Sequence, residues 1–201
     1  MKNRVMTFLF AIAVSIVLAG CGGAVKYPNY YTLHVPPPPD PPTPESVHTT
    51  LAIREFRSPS YLRQGAIVYK TSPEQIGFYN YHRWAVDPRD FVTNAVEERL
   101  GASGNFARVK LYDGRSDVDY VLTGRLEKLE EIDYDGGVKV EVALSAEMTN
   151  LATGTTVWSN TVSEMGSVGQ RNVPAVVAEM NRTMERAIEK LLTPAPNAVA
   201  K

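Results

Sequence analysis

The run that most constrains the fold is GVKVEVALSAEMTN, at residues 137–150. Apolar side chains from Val138 to Met148 alternate with polar ones, interrupted only at Ala143. Successive side chains of a strand point to opposite faces, so this pattern predicts a strand with one face on the core and the other in solvent. The turn-forming NLATGT at 150–155 then leads into TTVWSNTVSEM at 155–165. We therefore predict an antiparallel hairpin.

Five further strands and two helices are predicted around this hairpin. Asp87 is a suitable N-cap and Pro88 suits the first position of a helix that would end at the glycines near residue 104. Residues 173–192 predict an amphipathic helix whose polar face includes Glu179. The strands are predicted at 47–56, 65–70, 75–82, 106–112 and 118–134. The predicted fold class is α+β: a mixed, mainly antiparallel sheet with two main helices packed on one face.

The N-terminus is typical of an export signal. Lys2 and Arg4 precede the apolar run Val5–Val17, which is shorter than the roughly 20 residues that cross a bilayer. The Leu-Ala-Gly-Cys sequence at 18–21 resembles the bacterial lipobox, and Cys21 is the only cysteine. We predict a signal peptide at 1–20 and a lipid on Cys21. The alternative is a secreted soluble protein with a chance cysteine.

The next segments predict how the domain is tethered. Gly22, not Asp, follows the cysteine, and by resemblance to lipoprotein sorting this favours the periplasmic face of the outer membrane. The sequence predicts a tether and Pro-rich segment at 21–46, within which NYYTLHV (29–35) is typical of a strand that could belong to the domain. The folded domain is predicted at 47–193, and a flexible tail at 194–201.

The residues that could carry chemistry indicate no enzyme, cofactor or metal site. The formal charge of −1 for the whole chain is too small and too mixed for a nucleic-acid partner. The three histidines, His34, His48 and His82, have no partners at metal-ligand spacing, and neither a Gly-x-Ser-x-Gly elbow nor a phosphate-binding loop is present. The acidic run EKLEEIDYD at 127–135 predicts a solvated strand face.

Aromatic residues are the best candidates for a partner interface, because tyrosine suits both a core edge and a protein contact. Alternation predicts that Tyr79 and Tyr81 share one strand face and that Phe78 and His82 share the other. The alternative for Phe78 and Trp84 is a place in the core. The candidate interface residues are Tyr30, Tyr31, Tyr61, Tyr79, Tyr81, Arg83 and Trp84.

The order of several segments resembles one protein family. After Cys21 and YYTL (30–33) come LAIREF (51–56), YLRQGAIVYK (61–70), FYNYHRWAVDPRDFVTNAVEERL (78–100), DYVLTGRLEKLEE (119–131) and ALSAEMTNLATGTTVWSNT (143–161). This combination resembles the ABC-type transport auxiliary lipoproteins, the PqiC-like proteins. The resemblance implies a non-enzymatic outer-membrane lipoprotein that can assemble into a ring-shaped homo-oligomer.

The same resemblance implies a partner. Such a lipoprotein would dock or anchor the periplasm-spanning MCE-domain (mammalian cell entry) protein of an ABC lipid transporter. Two alternatives remain open: a periplasmic carrier that holds lipid inside its own fold, and an assembly lipoprotein for lipopolysaccharide or secretion machinery.

Overall fold

The computed structural model describes residues 25–38, 48–114, 117–134 and 136–196. The predictions for the signal peptide, for Cys21 and for the densest part of the proline run lie outside these residues. The described chain forms one eight-stranded mixed sheet and two α-helices, which confirms the predicted α+β class. The strands are β1 (Asn29–Tyr31), β2 (Thr50–Ile53), β3 (Ala66–Lys70), β4 (Ile76–Trp84), β5 (Arg108–Leu111), β6 (Tyr120–Ile132), β7 (Lys139–Asn150) and β8 (Thr156–Ser167).

Strand β6 is the axis of the sheet. Along one edge it pairs antiparallel with β7, and β7 pairs antiparallel with β8 to form the predicted hairpin. Along its other edge, β2 pairs parallel with the start of β6 and β3 pairs parallel with its end. Strand β2 continues the sheet to β5, whereas β3 continues it to β4 and β1. The sheet therefore branches at β6, and β1, β5 and β8 are its edges among the described strands.

The helices begin as their sequences predict. Helix α1 (Pro88–Ala102) follows Asp87, whose side chain accepts a hydrogen bond from the Arg89 N–H at 2.9 Å. Helix α2 (Val173–Leu191) follows Asn172, whose side-chain oxygen accepts from the Ala175 N–H at 2.9 Å. These caps satisfy N–H groups that have no partner inside a helix.

Apolar side chains from both helices and from the inner face of the sheet form one core. Phe56 is 1% exposed and lies where a side chain on Gly124 of β6 would stand. The absence of a Cβ at Gly124 is thus what lets the tip of the ring approach the backbone of β6. The helices contribute Val92, Ala95, Val96 and Leu100 from α1, and Val173, Val176, Val177, Met180, Met184, Ala187, Ile188 and Leu191 from α2.

Glu179 is a correction to the predicted polar face of α2. Its side chain is buried against β8, in the space that Gly166 leaves free, and the residue is 6% exposed. The carboxylate accepts hydrogen bonds from Arg182 at 2.6 Å and from Arg186 at 3.5 Å. A buried carboxylate is tolerable here because two guanidinium groups compensate its charge.

A bulge in β4 is a second correction. Val68 of β3 is paired with Phe78, but Ala66, only two residues away, is paired with Arg83. The extra residues of β4 break the two-residue alternation. As a result the rings of Tyr79 and His82 meet with centroids 5.6 Å apart, although alternation predicted them on opposite faces.

Candidate functional site

The first candidate site is the β1 edge, where the N-terminal segment joins the domain. Strand β1 pairs parallel with the end of β4, with Tyr31 beside Trp84, and the Ala85 N–H donates to the Tyr31 carbonyl at 2.8 Å. The Tyr31 hydroxyl lies 2.9 Å from Nδ1 of His82. Aromatic and β-branched residues suit an extended segment, which explains why this stretch adds to the sheet. The N-terminal segment is thus attached to the sheet before the Pro-rich run begins.

Beyond β1 the chain crosses the helical face of the domain. The His34 N–H donates to Oδ1 of Asn181 on α2 at 2.7 Å, and Leu33 and Val35 pack against the core. Pro36 and Pro38 lie beside α1 at Arg99 and its neighbours. Residues 33–38 therefore form part of the domain surface.

Several side chains at the β1 edge are exposed. Tyr27 is 78% exposed and Tyr30 is 62% exposed, and Val25 and Tyr81 are exposed as well. The Lys26 Nζ lies 4.5 Å from the centroid of the Tyr81 ring, a cation–π contact that holds residues 25–27 against β4. Of the candidate interface residues, Tyr30 and Tyr81 are thus free to contact something outside the domain.

The other candidate residues lie deeper. Trp84 is 6% exposed and packs in the core, which is the alternative that its sequence context left open. Tyr31, Tyr61 and Tyr79 are partly buried against the same core. The Arg83 guanidinium donates to the Gln64 carbonyl at 2.7 Å, and so joins β4 to the short 3-10 helix Ser60–Gln64.

The second candidate site is a pair of buried acids at the end of β6. Glu130 is 2% exposed and Glu131 is 4% exposed, so the prediction of a solvated face is wrong for these two residues. The side chains of Tyr61 and Lys70 lie against Glu130, and that of Tyr79 lies against Glu131, which leaves little room for water. Nothing in the local sequence shows this, because it follows from the branching of the sheet.

Each buried acid has a tyrosine partner. On one face, Tyr61 donates to Oε2 of Glu130 at 3.4 Å and Lys70 lies 3.8 Å from the other oxygen. On the opposite face, Tyr79 donates to Oε2 of Glu131 at 2.8 Å. Adjacent strand residues point to opposite faces, so the two carboxyl groups cannot act together as a catalytic pair.

Burial governs the protonation of these groups. Loss of water raises the pKa of both Glu130 and Glu131, against the opposing effects of Lys70 and of Tyr79 respectively. Burial, together with the nearby Glu130 carboxylate, raises the pKa of Tyr61 to about 12. Burial and the hydrogen bond to Glu131 raise the pKa of Tyr79 as well. Both tyrosines therefore stay neutral donors at ordinary pH.

The outer face of the sheet, away from the helices, is polar. An open cleft of about 470 Å³ lies where β2 departs from β6, and Arg54, Arg57 and Arg125 line it. Arg54 stacks on Tyr112, with 4.4 Å between the guanidinium carbon and the ring centroid, and Arg125 pairs with Glu127 at 3.1 Å. Within the described ranges, no three His, Cys, Asp or Glu side chains converge as a metal ion would require.

Comparison with known proteins gives the family. The sequence profile of the ABC-type transport auxiliary lipoprotein component matches residues 31–191. This chain belongs to that family. The match begins at Tyr31, the last residue of β1, and ends at Leu191, the last residue of α2, so it covers every later strand and both helices. Membership places the chain among transport-associated lipoproteins of the cell envelope. No curated protein sequence is detectably similar to it.

Solved structures share the fold. A Xanthomonas campestris protein described as a member of family DUF330 is 18% identical, with a TM-score of 0.69 over 82% of this chain and 92% of its own. A second crystal structure, of an uncharacterised protein, is 15% identical, with a TM-score of 0.64 over 84% of this chain and 98% of its own. At these identities the likeness shows the fold alone. Neither helix in the described part of our chain has the length and hydrophobicity needed to cross a bilayer.

Proposed function

We propose that this protein is a non-enzymatic outer-membrane lipoprotein, anchored through Cys21, that docks the periplasm-spanning MCE component of an ABC-type lipid transport system. The observation that carries the proposal is the family match across the domain, which begins in β1, shortly after the lipidation signal. Asn29 lies only eight residues along the chain from Cys21, and an extended chain of that length reaches at most ~28 Å. A small rigid domain held this close to a membrane suits the reception of a partner that crosses the periplasm.

The packing of the core favours docking over carriage of lipid. A carrier needs an apolar space between the sheet and the helices. The residues that would line such a space are instead buried against one another in one continuous core. They are Val140, Val142, Leu144, Val176, Val177 and Met180.

The anchor is tested first, with the full-length protein expressed in its own host. Mass spectrometry of the N-terminal peptide should show an acylated Cys21, and fractionation should place the protein in the outer membrane. Cys21→Ser should lose both the modification and the outer-membrane location. An unmodified Cys21 in the mature wild-type protein would contradict the anchoring part of the proposal.

Docking is tested separately with the MCE protein encoded by the same system. We expect the purified lipoprotein in detergent to bind that protein, and the Cys21→Ser variant to bind it equally well, because docking would use the folded domain. Mass photometry of the same sample reports whether the lipoprotein is a homo-oligomer. A folded lipoprotein without affinity for the MCE protein would contradict docking. Co-purified lipid in native mass spectrometry would favour the carrier instead.

A further inference from the structure

We propose that the β1 edge presents a membrane-contacting patch, made of Val25, Lys26, Tyr27, Tyr30 and Tyr81, that lies on the surface of the same bilayer that holds the lipid anchor. This inference rests on the proposed lipidation of Cys21. It assigns Tyr30 and Tyr81, two of the candidate interface residues, to lipid headgroups and not to a protein partner.

The short segment between Cys21 and Val25 keeps this patch close to the membrane. Val25 lies only four residues along the chain from Cys21, so the two Cα atoms are at most ~14 Å apart even when the chain is fully extended. The opposite edge of the sheet is farther away. Five strand-to-strand steps lie between β1 and β8, and at about 4.8 Å each they add ~24 Å. An anchor at Cys21 therefore favours contact through the β1 edge.

The patch is a surface of the domain and not a loose tail. Tyr30 is paired in register with Arg83 of β4, so these two side chains project from the same face of the sheet. Lys26 lies over the Tyr81 ring and fixes the residues before β1 against β4. A bilayer would meet these side chains together.

The chemistry of the patch suits a headgroup region. Tyrosine is enriched at membrane–water interfaces, because its ring is apolar and its hydroxyl is polar. Val25, Tyr27 and Tyr30 are mostly exposed, although such side chains favour a less polar environment. Lys26 is the charged member of the patch, and it is positive. A lysine extends its ammonium end to lipid phosphates while its stem lies along apolar surface.

The other two edges of the sheet provide matched controls. Leu111 on β5 is 45% exposed and Met165 on β8 is 51% exposed, so each is an accessible apolar side chain on a different edge. If Cys21 is acylated, a cysteine introduced at any of these positions is the only free thiol in the chain. A spin label can therefore be attached at one edge at a time.

The experiment uses the full-length lipoprotein in vesicles of phosphatidylethanolamine and phosphatidylglycerol. Spin labels are placed by Tyr30→Cys and Tyr81→Cys, with Leu111→Cys and Met165→Cys as controls, and intrinsic tryptophan fluorescence checks the fold. Power saturation then compares collisions with oxygen, which concentrates in the bilayer, and with a water-soluble nickel chelate. We expect the ratio of oxygen to nickel collisions to be severalfold higher at Tyr30 and Tyr81 than at the two controls.

Equal ratios at all three edges, or a higher ratio at Leu111 or Met165, would overturn the patch. Labelling of the wild-type chain is the separate check on the anchor. Uptake of label by the wild type would mean that Cys21 carries no lipid, which removes the proposed anchor and the patch with it. An unlabelled wild type with no difference between edges would remove the patch alone.

Discussion

Two parts of strand β6 follow opposite rules, although they belong to one continuous strand. From Leu122 to Leu126 the side chains alternate as the sequence predicts, with Leu122 and Leu126 fully buried and Arg125 exposed. At the end, after a register shift between Leu126 and Lys128, both Glu130 and Glu131 are buried. Period-two patterning therefore reports burial only while one face of the strand is open to water.

The largest loss of folding stability should come from the apolar part of β6, where Phe56 packs on Gly124. Phe56→Ala removes a fully buried ring that packs on Gly124, and we expect the free energy of unfolding to fall by about 3–5 kcal/mol. Urea unfolding followed by tryptophan fluorescence measures it. A loss below about 1 kcal/mol would show that the ring does not anchor this end of the strand.

Gly124→Ala tests the same contact from the strand side. The added methyl group would collide with the Phe56 ring, so we expect a loss of about 1–3 kcal/mol from overpacking. In the Phe56→Ala background the same substitution should cost much less, because the ring is gone. Additive losses in the double variant would contradict a direct contact between the two residues.

Glu131→Gln tests the acidic end through pH. The pKa of Glu131 is raised in the folded state, so its contribution to stability is fully present below the unfolded-state pKa and is lost as pH rises through the folded-state pKa. The wild type should therefore lose stability across that interval more steeply than Glu131→Gln, which cannot ionise. Urea unfolding at a series of pH values measures this. If stability fell equally with pH in the wild type and in Glu131→Gln, the raised pKa of Glu131 would be contradicted.

Tyr79→Phe removes the hydroxyl that donates to Glu131, and we expect a loss of about 1 kcal/mol. Tyr81→Phe is the matched control on the same strand. Its ring is exposed and stacked under Lys26, so we expect a change within about 0.5 kcal/mol. Thermal unfolding of both variants provides the measurement. Equal losses of stability in the two variants would mean that the hydrogen bond from Tyr79 to Glu131 does not stabilise the fold.

Glu147→Gln, on the regular strand β7, should have the smallest effect. Its side chain is exposed and receives one hydrogen bond, from Thr123 at 3.2 Å, so we expect a change within about 0.5 kcal/mol. Urea unfolding of Glu147→Gln and Glu131→Gln under the same conditions compares an exposed acid with a buried one. A loss comparable with that of Phe56→Ala would contradict the exposure of the Glu147 side chain.

Much of the fold was predictable from local pattern. The β7–β8 hairpin, the two helices and the cap at Asp87 rest on interactions between residues close in sequence. The candidate site was harder to predict from the sequence. The sequence marks Tyr30 and Tyr81 as aromatic, but their exposure depends on where β1 pairs with β4, which is a contact between residues about fifty apart.

The sequence by itself determined the α+β class, the family resemblance and the alternating strand of the hairpin, because periodicity and turn chemistry are local properties. Only the tertiary structure decided that Glu130, Glu131 and Glu179 are buried, and that Tyr79 meets His82. Burial of these groups depends on the branching of the sheet at β6, on the bulge in β4 and on the space left by Gly166. Each of these brings together distant segments, whose contacts no local pattern encodes.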